Sequence, residues 1–150
     1  MAVNRRQEEP GDTESSQIRE RAEAIHAADI AIEHMERALE KLNSASNWGL
    51  FDMFAGGMIT SMIKHRRIDD AEDEFNAARD AVRAFARELS DVNDPELLRF
   101  DIGGFASGMD IFFDNVFADI YVQHKIERAR DRVRAAIEQV GAIRAQLMRF

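Results

Sequence analysis

Two stretches of the chain repeat one another at a fixed offset of 58 residues, and each repeat carries apolar residues at helical spacing. The offset pairs Asp52 with Asp110, Phe54 with Phe112, Met58 with Val116, Ile59 with Phe117 and Met62 with Ile120. Farther on it pairs Ile68 with Ile126, Phe75 with Val133, Val82 with Val140, Phe85 with Ile143 and Leu89 with Leu147. Heptads alone would match at multiples of seven; an offset of 56 would set Phe54 on Asp110 and destroy the correspondence. The pattern therefore reads as an internal duplication, with halves about 48–92 and 106–150.

The later part of each half is a narrow seam, Ile68, Ala71, Phe75, Ala78, Val82, Phe85, Leu89, Val92 in one and Ile126, Ala129, Val133, Ala136, Val140, Ile143, Leu147, Phe150 in the other. Charges fill the remaining positions. The earlier part is apolar nearly all round, so it must be buried on more than one side. Ahead of both repeats, Ile18, Ile25, Ala28, Ile32, Met35, Leu39 and Leu42 form one stripe of a helix over about 13–43. The run Asn43-Ser44-Ala45-Ser46-Asn47 reads as a turn, because short polar side chains compete for backbone hydrogen bonds. Residues 1–12, with Pro10 and Gly11, read as a disordered polar lead to a single helical domain over 13–150.

These features predict an all-α fold of long antiparallel helices, a helical hairpin or coiled-coil bundle. The second helix should span about Trp48 to Val92. Asp94 and Pro95 then open a short helix to Leu98, and Ser107 with Asp110 caps a third helix running to the C-terminus. A 45-residue helix is about 68 Å long, whereas some 14 residues between Val92 and Ser107 reach about 50 Å. Helices 2 and 3 cannot then lie parallel. Laid antiparallel, the seam of each faces the apolar half of the other, and helix 1 covers helix 2. Phe113, Phe117, Ile120 and Tyr121 remain open to a second subunit, unless the segment around Leu97, Leu98 and Phe100 folds over them.

Several function classes lose support at this point. The net charge of −8 leaves no long basic face for nucleic acid. Lys64-His65-Arg66-Arg67 is the one dense basic run, and acidic Asp69 to Glu74 follow it directly. Cysteine is absent, which removes disulfides, thiolate metal sites and thiol nucleophiles, and the polar N-terminal stretch resembles no export signal. A cytoplasmic protein is expected. Ser44 to Ile63 has the length of a membrane span with Asp52 as its sole charge, yet its repeat partner carries Asp110, Asp114 and Asp119, which two related spans would not tolerate.

Enzymatic and metal chemistry is weakly signalled. Glu23 and His26 form one Glu-x-x-His pair, where a di-iron bundle needs two, and His26 falls on the polar flank. No metal, cofactor or catalytic residue is expected. Asp52 and Asp110 fit first-turn positions on their helices, while Asp114 and Asp119 lie among phenylalanines and call for partners, with Lys64, Lys125 or an arginine available. Gly56 and Gly57 inside a helix each cost about 1 kcal/mol relative to Ala, which the close approach of another helix would offset.

Two motifs carry a resemblance. Asn47-Trp48-Gly49-Leu50-Phe51-Asp52-Met53-Phe54-Ala55-Gly56-Gly57-Met58, leading into Lys64-His65, and Phe112-Phe113-Asp114-Asn115-Val116-Phe117-Ala118-Asp119-Ile120-Tyr121-Val122-Gln123 look like those of a family of uncharacterised bacterial coiled-coil proteins. The likeness covers about Ala38 to Phe150. Relatives in that family often show a third glycine where Ala55 stands, a Trp where Tyr121 stands, and a longer N-terminal coiled coil. The resemblance implies a helical protein and no particular chemistry.

The expectation is a helical scaffold or adaptor that associates through its aromatic midsection as a homodimer and recruits another helix. Candidate interaction residues are Trp48, Asp52, Gly56, Gly57, Lys64, His65, Phe113, Asp114, Phe117, Asp119 and Tyr121. One alternative is a peripheral membrane-surface protein using Trp48, Phe51, Phe54 and Lys64 to Arg67. Another is a helical-bundle metal or small-ligand protein centred on Asp52, His65, Asp114 and Asp119.

Overall fold

The computed structural model describes residues 10–55, 58–93, 102–121 and 126–149, with side chains at 11, 13–43, 72–93, 103–119 and 127–149. Four helices make up nearly all of it: α1 (Pro10–Ala55), α2 (Met58–Asp91), α3 (Ile102–Tyr121) and α4 (Ile126–Met148). The fold is all-α, with no strand among the described residues.

The helices form a ring in which α1 packs on α2, α2 on α3, α3 on α4, and α4 back on α1. Opposed contacts give the directions. Phe75 meets Phe117 and Phe85 meets Phe105, so α2 and α3 run antiparallel. His34 approaches Glu74 at 3.5 Å, although 40 residues of straight helix would hold them about 60 Å apart; the chain reverses between Ala55 and Met58. Asp119 and Arg132 lie 3.0 Å apart, where one continuous helix would separate them by about 20 Å. The chain therefore reverses again between Tyr121 and Ile126.

Among the described residues, both apolar seams line the core. Phe75, Ala78, Val82, Phe85, Leu89 and Val92 on α2 are buried, as are Ala129, Val133, Ala136, Val140, Ile143 and Leu147 on α4. The offset of 58 thus carries buried residue onto buried residue at Phe75/Val133, Ala78/Ala136, Val82/Val140, Phe85/Ile143 and Leu89/Leu147.

The expected boundaries need correction in four places. Asn43 to Asn47 lie inside α1 rather than in a turn, and the reversal comes after Ala55. Pro10 to Asp12 belong to α1 instead of a disordered lead, Pro10 suiting a helix start because it has no N–H to leave unpaired. Ser107 and Asp110 stand in the middle of α3, which opens at Ile102 and includes Gly103 and Gly104, so they form no cap. The third helix is two, α3 and α4, folded on one another. The lead before Pro10, the segment around Pro95 to Phe100, and Phe150 fall outside the described residues.

On α1 the seam is narrower than the large residues suggest. Ala24, Ala28, Ala31, Met35, Ala38 and Leu42 are buried at heptad spacing, while Ile25, Ile32 and Leu39 flank it half-buried and Ile18 is 65% exposed. Because α1 faces both α2 and α4, alanine at the seam permits close approach and the larger side chains fill the edges.

Candidate interaction site

The candidate residues separate into two groups. Phe113, Asp114, Phe117 and Asp119 lie along α3 in the four-helix body, with Tyr121 its last residue. Trp48 and Asp52 belong to the end of α1, and Lys64 and His65 to the start of α2. The side chains of Trp48, Asp52, Lys64, His65 and Tyr121, and all of Gly56 and Gly57, fall outside the described residues.

In the body, aromatic packing closes within one chain. Phe113 is 1% exposed and stacks edge-on against Phe112 at 5.1 Å between centroids. Phe117 meets Phe75 edge-on at 5.9 Å, and the Arg79 guanidinium lies over the Phe117 ring at 5.8 Å. Arg79 is positioned in turn by donating to Asn76 Oδ1 at 3.0 Å. Phe113, expected to stand open, is thereby covered within one chain, while Phe117 is half-buried.

Asp119 is the one buried charged residue among those described. Arg132 Nε lies 3.0 Å from its Oδ2, but the N–H is not aimed at the oxygen, which receives charge without an aligned hydrogen bond. Asp114, by contrast, is exposed. Of the two carboxylates expected to need partners, only Asp119 is buried, and an arginine serves it. Sequence reading missed Arg132 because a single uninterrupted helix sets it between three and four turns away from Asp119; recognising the reversal after Tyr121 is what makes the pair visible. Arg79 was equally hidden, since cation–π contact across helices leaves no trace in spacing.

Other charges are also structural in geometry. Asp110 accepts from Arg83 Nε at 2.9 Å rather than serving a helix start, and Arg144 donates to Asp29 across α4 and α1. His26 is exposed and Glu23 pairs with Arg19 at 3.9 Å, as expected of a solvated flank. No group of three or more potential ligands could hold a metal among the described residues. Within the same residues no helix is long and apolar enough to cross a membrane.

The second group stands apart because the α1/α2 hairpin is longer than what covers it. The Phe75–Phe117 and Phe85–Phe105 register sets Tyr121, the end of α3, level with about residue 70 of α2. Contacts of Asp29 with Arg144, and of Arg21 with the Leu147 carbonyl, set the first residue of α4 level with about residues 42–47 of α1. Beyond those levels α1 and α2 continue together for about 13 Å on the α4 side and about 20 Å on the α3 side. Pro10, Asn93 and Ile102 lie at the end of the body opposite this prong. The prong holds Trp48, Phe51, Asp52, Phe54, Met58 and Ile59, and Lys64 to Arg67 lie where it leaves the body.

No known family, curated protein or solved structure matches the chain.

Proposed function

We propose that the protein is a non-enzymatic helical scaffold or adaptor of the cytoplasm, which self-associates and offers helices to a helical partner. The internal duplication supplies two seams that build the body. One observation carries the reading: the α1/α2 hairpin extends past α3 and α4 with a sequence that is apolar nearly all round. Helices of that composition are buried in use, and a bundle completed by further helices buries them. Asp29, Asp110 and Asp119 are engaged with arginines and Glu74 with His34, so neither acid–base nor metal chemistry gains support from them. Light scattering across a concentration series tests the reading. A dimer or higher assembly is expected, and a monomer throughout the micromolar range would end the self-association argument.

A further inference from the structure

We infer that the α1/α2 prong is the self-association surface and that its occupant is the prong of a second copy, laid tip to base about a two-fold axis. The inference rests on the self-association just proposed, and adds where the contact lies and what sets its register.

Size fits first. The prong between Trp48 and Ile63 contains nine large apolar residues. If each presents about half of a buried aromatic's area, each copy contributes about 700–900 Å², close to the ~800 Å² per partner of a stable interface. Two helices from each copy then make a four-helix bundle continuous with the body.

Charge fixes the register. Asp52 is the sole acidic residue in this stretch, and it occupies the last turn of α1, where the helix dipole disfavours a negative charge. It lies about 7 Å from the reversal, while Lys64 on α2 lies about 11 Å from it. In a tip-to-base arrangement along the α3 side, where about 20 Å is free, an overlap of about 18 Å sets Asp52 of each copy level with the partner copy's Lys64. Symmetry makes the match twice. Residues 44–67 carry a net charge of +2 (three basic, one acidic) in a chain of −8, so two prongs brought together repel unless Asp52 and the basic run are opposed.

A lipid surface satisfies these observations less well. Insertion would lead with the tip and carry Asp52 in before the basic run reached the headgroups. A second copy gives Asp52 a partner.

Sedimentation equilibrium on the full chain tests the arrangement, with four variants: Asp52→Lys, Lys64→Asp, the double exchange, and Phe54→Asp. The wild type should be a dimer, and either single exchange should weaken it about tenfold or more. The double exchange should return the dissociation constant to within about threefold of wild type, a rescue that a merely damaged surface would not show. Phe54→Asp should be monomeric with unchanged helicity by circular dichroism, because residue 54 lies beyond the levels at which α3 and α4 end. A dimer that survives Phe54→Asp, or a double exchange no better than the singles, overturns the prong interface and leaves self-association elsewhere. A wild-type monomer overturns both readings, as does a monomer that floats with phosphatidylglycerol vesicles.

Discussion

Removing Arg132 and removing Asp119 should have unequal consequences, because the two members of the pair are buried unequally. The Asp119 side chain is 5% exposed and Arg132 is 37% exposed. Arg132→Met keeps the methylene stem and deletes the charge, leaving a carboxylate in the core with no cation beside it. Breaking a buried pair this way costs roughly 3–5 kcal/mol; partial solvation of the guanidinium and its unaligned N–H lower the expectation to about 2–3 kcal/mol. Asp119→Leu leaves a guanidinium that can turn to water, and it adds apolar volume in a buried position. That variant should lie within about 1 kcal/mol of wild type in either direction. Urea denaturation followed by circular dichroism measures both, and for a chain of this length the Arg132 variant should melt about 4–12 °C lower. Equal losses, or a larger loss for Asp119→Leu, would refute the claim that burial of the carboxylate sets the cost.

Gly108 and Gly141 sit inside α3 and α4 with nothing within 4 Å of an added Cβ, so Gly108→Ala and Gly141→Ala should each stabilise by about 0.5–1 kcal/mol in the same assay. Ala31 is fully buried where α1 meets its neighbours, so Ala31→Leu should destabilise by about 1–3 kcal/mol; a neutral result would mean the alanine seam is not closely packed. Arg83 and Asp110 are both 48% exposed, so Arg83→Ala should cost under about 1 kcal/mol and lose its effect in 1 M salt.

The body was legible where burial is one-sided. Seam residues on α2 and α4 could be read directly, because a charged remainder leaves one stripe for the core. On α1 the signal was blurred: Ala24, Ala31 and Ala38 are too small to stand out against Ile25, Ile32 and Leu39, although the alanines occupy the contact line. Reversals were harder still. Asn43 to Asn47 looked like a turn, yet each such residue opposes helix by under about 1 kcal/mol, which packing on either side readily exceeds. The reversal after Tyr121 has no glycine or proline, and its two flanks share a heptad pattern that reads as one rod. Within the candidate set, Asp119 was correctly marked as needing a partner, whereas Phe113, expected at an open face, is buried in the core. Asp114 was indistinguishable from Asp119 by composition, since both stand among phenylalanines and only the helix face separates them.

Contact between α1 and α4 has a consequence for synthesis. Asp91, the end of α2, emerges 56 residues before Leu147, so at about 5–20 residues per second the α1/α2 hairpin spends about 3–11 s without the helix that closes the ring. For that interval the nascent hairpin offers its alanine line to whatever is nearby, and a neighbouring chain on the same message is the nearest source of a matching helix.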